Sequence, residues 1–291
     1  MTVVLDGGLA TELEARGHDL SGELWSARLL ADDPAAIVAA HRAFFRAGAT
    51  VATTASYQAS LAGFAELGLD RDEAVRLLQL SVELAREARV TGDELVAASI
   101  GPYGATLADG SEYRGHYGLS VAELAAFHRP RAEILAAAGP DLLACETVPD
   151  VDEAEAMLLA IEGLDVPAWL SYTVEGESTR AGQPLTEAFA VARGNDQIVA
   201  VGVNCCDPRD VAAAEIAREA SGKPVIAYPN SGETWDARAR GWAGDPRFSP
   251  DLVREWLAAG VAYVGGCCRV SPDDIAALAA AVRPGTGSPR G

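Results

Sequence analysis

Cysteines are the first residues of this sequence whose type and spacing could carry chemistry. Cys267 and Cys268 follow a glycine pair in the stretch GGCCRV, and Cys205 stands in VGVNCC. Neighbouring cysteines cannot close a disulfide with each other without strain, whereas thiolates are good zinc ligands. Three thiolates would leave the fourth position of a tetrahedral zinc site open, as a catalytic site requires. Spacing alone is equally consistent with packing, and it does not decide whether Cys205 or Cys206 faces the ion.

Two carboxylates stand where apolar stretches end. Glu146 closes LLACE, and a buried carboxylate there needs a cationic or hydrogen-bonding partner. This indicates an ammonium-bearing ligand, with a structural ion pair to an arginine as the alternative. Asp6 precedes a glycine pair and is either a ligand-binding residue or a turn former, while Cys145 is interpreted as a small core residue. The other polar side chains at such ends are Thr53, Thr54, Ser99, Tyr172, Asn204, Tyr228 and Asn230.

The elements that must bring these side chains together are short apolar runs alternating with amphipathic stretches. Such runs are typical of parallel strands covered on both faces. They span residues 2–7, 49–55, 94–101, 141–147, 167–173, 198–205, 224–230 and 262–268. Repeated β-α units predict an α/β fold, a closed (β/α)8 TIM barrel whose strand C-termini converge on one face. A doubly wound open sheet is the alternative, but no GxGxxG motif follows a strand.

Helix signals support the same alternation. Pro34 and Gly48 are placed to begin and end one helix. Ser120, with Glu123 three residues later, has the pattern of a capping box at the beginning of another. In the barrel, the sixth and eighth strands have one strand between them, so their C-terminal ends can meet. The predicted fold therefore allows the three cysteines to form one site.

Two connections are longer than packing needs, residues 101–119 and 229–248. Both follow predicted strands and are rich in glycine and aromatic residues, so we expect them to build the mouth of the site. The glycine pair 265–266 is expected to let the backbone turn sharply enough for both following cysteines to face an ion. We expect one domain over residues 1–283 and a disordered tail over 284–291.

Composition excludes some classes of protein. A formal net charge of −19 argues against a nucleic-acid partner, because phosphate backbones select basic surfaces. The sequence has no run of about 18 apolar residues, so we expect no membrane span. The N-terminal stretch lacks the pattern of a signal peptide. We therefore expect a cytoplasmic protein with no membrane partner. In that compartment clustered cysteines indicate metal binding or catalysis before disulfides.

Seven motifs, in chain order, resemble those of the homocysteine S-methyltransferase family. They are LDGGLATELEARG, ATTASYQAS, SIGPYGATLADGSEYRGHY, LLACETVPD, VGVNC, YPNSGETWD and GGCCRVSPDDI. The resemblance runs from Val3 to Val282. It is closer to the branch that uses S-methylmethionine or S-adenosylmethionine, because GSEYRG and YPNSGETWD are similar to that branch rather than to the betaine-using one.

The resemblance implies a zinc-dependent transfer of a methyl group from a sulfonium donor to homocysteine, which forms methionine. It implies that Zn²⁺ is held by Cys205, Cys267 and Cys268 and activates the substrate thiol. One departure is Cys206, which stands where no ligand is expected. Betaine is the lower-ranked donor.

The resemblance also implies which residues hold the substrates. Glu146 and Asp6, with the adjacent Gly7, correspond to positions that hold the amino-acid end of homocysteine, and Asn204 lies beside a zinc ligand that it would orient. Together with the polar strand ends, the expected substrate-binding residues are Asp6, Gly7, Thr54, Glu146, Asn204, Tyr228 and Asn230.

Two other functions are compatible with three clustered cysteines. A zinc hydrolase would hold water at the open position, but such sites favour histidine and carboxylate ligands, and no histidine lies at a predicted strand end. A thiol redox sensor or small-molecule-binding barrel would use the cysteine pair as a switch without catalysis.

Overall fold

The computed structural model describes residues 2–20, 25–107, 109–236 and 241–283, and the predicted tail 284–291 lies outside them. The strands, in chain order, are β1 (Val3–Val4), β2 (Val51–Thr53), β3 (Leu95–Ile100), β4 (Leu142–Val148), β5 (Ala168–Tyr172), β6 (Val174–Glu175), β7 (Ser178–Thr179), β8 (Ile198–Asn204), β9 (Val225–Tyr228), β10 (Thr234–Asp236), β11 (Gly241–Ala243) and β12 (Val261–Val264).

Eight of these strands form one parallel sheet in the order β1-β12-β9-β8-β5-β4-β3-β2. The two ends of this order meet at a single bridge between Leu5 and Val51. Backbone N–H groups of Asp6 and Thr50 reinforce that closure by donating to Val51 at 3.0 Å and to Val4 at 2.7 Å. The predicted TIM barrel is confirmed, and every predicted strand is present. Most strands are shorter than predicted, whereas β4 has the predicted length and lies one residue further along the chain.

Helices lie between the barrel strands. They are α1 (Leu9–Ala15), α2 (Trp25–Asp32), α3 (Pro34–Ala47), α4 (Leu61–Glu66), α5 (Arg71–Glu87), α6 (Tyr103–Leu107), α7 (Val121–Ala137), α8 (Val151–Ile161), α9 (Leu185–Ala190), α10 (Ala214–Ser221), α11 (Pro250–Ala258) and α12 (Pro272–Val282), with 3-10 turns at Ser111–Tyr113 and Pro208–Ala213. The predicted signals are confirmed: α3 starts at Pro34 and ends at a left-handed Gly48, and Ser120 with Glu123 forms a capping box on α7. Among the described residues, no helix is both long and apolar enough to cross a membrane.

Three connections at the C-terminal ends of the strands carry structure of their own. The predicted connection 101–119, here named the mouth loop, holds α6 and the turn Ser111–Tyr113, and the connection 229–248 holds the hairpin β10–β11. The third is the hairpin β6–β7, which follows β5. This hairpin was not predicted, because two-residue strands are too short to show an alternating pattern.

Two large clusters form most of the core of the described residues, and a small third one lies around Leu13 and Ala40. Side chains of the barrel strands fill the interior, and the largest of them is Trp169, which is fully buried. A larger apolar layer lies between the strands and the helices, and it includes Phe44 of α3, Phe64 of α4 and Phe189 of α9. Cys145 and Cys206 belong to this outer layer. The prediction of Cys145 as a core residue is confirmed.

Candidate metal centre and substrate site

The thiol cluster, Cys205 with Cys267 and Cys268, lies where β8 and β12 end. The Sγ atom of Cys268 is 3.8 Å from that of Cys205 and 4.0 Å from that of Cys267. All three sulfurs lie within 4.8 Å of one another, and all are free thiols. The structure thus brings together the three predicted residues, while Cys206 packs in the outer core.

The spacing of these sulfurs fits a metal ion. Sulfur ligands of a tetrahedral zinc, each about 2.3 Å from the ion, are about 3.8 Å apart. The thiols also form hydrogen bonds with one another: those donated by Cys205 and Cys267 hold the pKa of Cys268 well below its ordinary value. Three cysteine sulfurs are a donor set for a soft or borderline ion. The residues present therefore fit zinc.

Backbone geometry fixes each thiol of the cluster. Cys205 is left-handed, with φ at 51°, and its N–H donates to the carbonyl of Tyr228 at 3.2 Å. Cys267 N–H donates to the carbonyl of Pro229 at 2.8 Å. Cys268 N–H donates to Oδ1 of Asn230 at 3.0 Å. Hydrogen bonds to the end of β9, which lies between the other two strands, thus position all three cysteines.

The glycine pair before the cysteines serves close packing and not the predicted turn of the backbone. The left-handed turn is made by Arg269, with φ at 66°, whereas neither Gly265 nor Gly266 has a positive φ. A Cβ on Gly266 would lie 2.2 Å from a Val270 methyl carbon, and one on Gly265 would lie 2.6 Å from the Leu5 Cβ. The glycines are required because Leu5 and Val270 pack closely against this segment, so the expected sharp turn at the pair is wrong.

Glu146 at the end of β4 is buried and held by two hydroxyl groups. Ser99 donates to Oε1 through a short hydrogen bond, and Tyr228 donates to Oε2 at 3.0 Å. Burial, opposed by these hydrogen bonds, raises the pKa of Glu146 to about 7. None of the arginines in the described ranges pairs with this carboxylate. The geometry therefore favours the ligand-binding alternative over the structural ion pair.

Tyr228 connects Glu146 to the barrel interior. Its hydroxyl lies 2.9 Å from Nε1 of Trp169, which donates, and 2.7 Å from the hydroxyl of Ser171. With the hydrogen bond to Glu146, the phenol oxygen has three partners, which hold the Tyr228 side chain in one orientation. The network fixes the direction of the Glu146 carboxylate, which is the preorganisation that a binding site needs.

Asp6 follows β1 at the closure of the barrel. Its two oxygens accept from the backbone N–H of Thr53 at 2.9 Å and from the hydroxyl of Thr53 at 3.0 Å. Burial raises the pKa of Asp6 to about 8. At the adjacent Gly7, a Cβ would lie 2.3 Å from the carbonyl oxygen of Val270. Asp6 and Gly7 therefore sit beside the chain that follows the thiol cluster.

Three of the predicted substrate residues use their side chains to hold the backbone. Thr54 accepts from the N–H of Ser99 at 3.0 Å. Asn204 accepts from the N–H of Thr147 and donates to its hydroxyl, both at 2.7 Å. The third is Asn230, which accepts from the Cys268 N–H. Their geometry indicates that they position the strand ends that carry Glu146 and the thiol cluster.

Two tyrosines near the thiol cluster, one in the mouth loop and one after β2, were not among the predicted site residues. The hydroxyl of Tyr113 lies 3.2 Å from Sγ of Cys205. The phenol of Tyr57, which follows β2, has a pKa raised first by burial and then by the nearby charges of Cys205 and Glu112. The only signal in the sequence was the abundance of aromatic residues in the mouth loop. That signal does not identify which of them reach the thiols.

Comparison with known proteins agrees with the site. The family model described as homocysteine S-methyltransferase matches residues 3–282. The homocysteine S-methyltransferase of Escherichia coli (strain K12) is 46% identical over 292 residues, covering 96% of this chain and 94% of that protein. The homocysteine S-methyltransferase YbgG of Bacillus subtilis is 42% identical over 300 residues, covering 97% and 94%.

A solved structure shows the same similarity in three dimensions. The metallated form of the homocysteine methyltransferase MmuM from Escherichia coli superposes with a TM-score of 0.86 at 45% sequence identity, covering 96% of both chains. The two chains thus share both their sequence, over nearly the full length, and their barrel fold. This chain belongs to the homocysteine S-methyltransferase family.

Proposed function

We propose that this protein is a zinc-dependent homocysteine S-methyltransferase that uses a sulfonium donor, with S-methylmethionine ranked first and S-adenosylmethionine second. The observation that carries the proposal is the convergence of three sulfurs, 3.8 to 4.0 Å apart along Cys205–Cys268–Cys267, at the C-terminal face of a barrel. Residues 1–283 would form the homocysteine-binding barrel. The family supports methyl transfer to homocysteine, and the metallated relative supports a metal at the thiol cluster.

The thiol cluster would hold the zinc ion. When bound, zinc lowers the pKa of a coordinating thiol, so homocysteine would be present as the thiolate at neutral pH. The Tyr113 hydroxyl beside Cys205 and the N–H groups that fix the cysteines would keep this end of the site in one geometry. With the thiol proton already lost, the chain needs no general base for the transfer.

Glu146 and Asp6 would hold the α-ammonium group of homocysteine. Both are buried, and a cation entering this site would compensate the cost of ionising them. Ser99 and Tyr228 orient the first carboxylate, and Thr53 orients the second. The substrate would then be held at both ends, with its sulfur over the thiol cluster.

The transfer itself is a displacement at the methyl carbon. The homocysteine sulfur forms a bond to that carbon, the bond between the carbon and the donor sulfur breaks, and its electron pair stays on the donor as a neutral thioether. Such a step depends mainly on holding the two reactants in line. The preorganised strand ends of this barrel meet that demand.

The variant Cys268→Ala tests the proposal. We expect purified, reduced wild-type protein to contain about one zinc per chain and to form methionine, and the variant to lose most of both. Cys206→Ala is the matched control, because that thiol packs in the core. Zinc is measured by elemental analysis and methionine by chromatography. A zinc-free wild type, together with full turnover by Cys268→Ala, would disprove the mechanism.

The choice of donor is tested by comparing rates. With homocysteine fixed, we expect the order S-methylmethionine, S-adenosylmethionine, betaine in kcat/KM. Betaine as the best donor would contradict the sulfonium assignment while leaving methyl transfer to homocysteine intact.

A further inference from the structure

Glu112 is a carboxylate of the mouth loop that lies near the thiol cluster and has no role in the proposed binding of zinc or homocysteine. It belongs to the turn Ser111–Tyr113, whose last residue reaches Cys205 at 3.2 Å. Burial, together with charge on Cys205, raises the pKa of Glu112 to about 7. The carboxylate therefore lies within electrostatic range of Cys205 in the thiol cluster.

One oxygen of this carboxylate lacks a partner. Oε2 of Glu112 is buried and accepts no hydrogen bond from any residue in the described ranges. The nearby Arg114 favours the ionised form of Glu112 only as the smallest of the charge effects on it, and it is exposed and pairs with Asp109 at 3.4 Å. By contrast, Asp6 and Glu146 have donors on both oxygens. A buried acceptor without a donor is costly, so its position calls for a ligand that supplies positive charge.

The loop holds Glu112 in place before any ligand binds. Asp109 accepts from the N–H of Ser111 at 2.9 Å. Arg180 of the β6–β7 hairpin donates to the carbonyl of Tyr113 at 3.3 Å. A Cβ on Gly104 would lie 2.5 Å from the backbone nitrogen of Glu112, so the two segments pack backbone to backbone. Such a clamped segment is preorganised for binding.

Aromatic rings accompany the carboxylate. Tyr57 is close enough to Glu112 to feel its charge. Tyr113 follows Glu112 directly in the chain and is close enough to Tyr57 for an electrostatic interaction. Aromatic faces and a carboxylate together attract cations that cannot donate hydrogen bonds. A sulfonium is such a cation.

We propose that Glu112, with Tyr57 and Tyr113, binds the sulfonium group of the methyl donor and so determines specificity for cationic donors. The inference rests on the proposed function and assigns its donor subsite. The sulfonium becomes a neutral thioether during transfer, so its attraction to Glu112 weakens as the reaction proceeds. Glu112 therefore contributes to donor affinity rather than to the rate of the chemical step.

The test is Glu112→Gln in the full-length, zinc-loaded protein, with S-methylmethionine varied at saturating homocysteine. We expect the donor KM to rise about 10-fold or more with kcat changed less than about threefold. Homocysteine KM and zinc content should stay at wild-type values. Glu112→Asp, which keeps the charge, should recover most of the donor affinity. Glu177→Gln, an exposed carboxylate of the β6–β7 hairpin, is the matched control for loss of one negative charge.

A donor KM within about twofold of wild type in Glu112→Gln would overturn the inference, as would an equal rise in homocysteine KM. A second measurement uses the unmodified protein: a sulfonium analogue without a transferable methyl should inhibit more strongly than a neutral thioether of the same shape. Equal inhibition would also overturn the inference. If wild-type protein forms no methionine from any sulfonium donor, it is the proposed function that fails.

Discussion

At the scale of single residues, Glu146 offers a direct test of substrate recognition. Two hydroxyl groups hold its oxygens inside the barrel mouth. We expect Glu146→Gln to raise the KM for homocysteine about 10- to 100-fold, because a neutral amide cannot pair with an ammonium group. Zinc content should not change. Steady-state kinetics with homocysteine varied, together with metal analysis, checks the prediction.

The pH dependence of this residue follows from its raised pKa of about 7. Below that pH the carboxyl group is protonated in the free protein, so the affinity for homocysteine should fall as pH decreases through 7. In Glu146→Gln this part of the profile should be flat. A profile that keeps its wild-type form in the variant would assign the titration to another group.

Residue type and position were enough to predict part of the site. The cysteine pair and Glu146 are unusual at apolar strand ends, so they could be identified from the sequence. Thr54 and Asn230 were identified too, yet their bonds to backbone N–H groups depend on neighbouring strands and could not be read from one strand. Glu112 was missed because only the folded mouth loop brings it to the thiols.

At the scale of elements, the glycine pair at the end of β12 sets the position of Cys267 and Cys268, the two proposed zinc ligands that follow it. A Cβ at Gly266 would overlap the side chain of Val270. We expect Gly266→Ala to cost about 1–3 kcal/mol of unfolding free energy, as overpacked sites do, and to weaken zinc binding because Cys267 and Cys268 must shift. Urea unfolding and competition with a zinc chelator measure the two effects.

Gly17→Ala is the matched control for this change. Gly17 is left-handed, with φ at 95°, but a Cβ added there would meet no atom within 4 Å. Its substitution should cost about 1 kcal/mol from backbone strain without any effect on zinc. Equal zinc affinity in both variants would show that the ligands tolerate movement of β12.

The barrel strands could be predicted from the sequence because each lies within an apolar run that alternates with helices in the expected order. Strand ends were overestimated, since residues such as Ala55 and Cys268 continue the apolar runs past the last residues of β2 and β12. The hairpins β6–β7 and β10–β11 depend on turns and on packing over the mouth. Each of these strands has too few residues to show an alternating pattern of apolar and polar side chains in the sequence.

At the scale of the whole molecule, buried carboxyl groups should make stability depend on pH. Burial raises the pKa of Asp6 from 3.8 to about 8, so the folded state binds a proton that the unfolded state releases between those values. The free energy of unfolding of substrate-free protein should therefore fall as pH rises from about 4 to 8. Glu153 of α8, with a pKa raised by burial to about 7, acts in the same direction.

Asp6→Asn separates this contribution from general charge repulsion. It should flatten the decrease in stability with pH, measured by urea unfolding at a series of pH values. Asp273→Asn, an exposed change on α12, removes the same charge and should leave the slope near that of wild type. If both variants give the same slope, the net charge of −19 explains the dependence instead.

The single bridge that closes the barrel has a consequence for how the chain folds. Val3 of β1 pairs with Tyr263 of β12, and Asp6 spans the closure to Thr53. During synthesis β1 cannot pair with β12 until β12 has left the ribosome, so the barrel cannot close before then. Contacts this distant in sequence make folding slow. Because Asp6 and the cysteines that follow β12 meet at that closure, the nascent chain would acquire its proposed substrate site and its fold in the same late step.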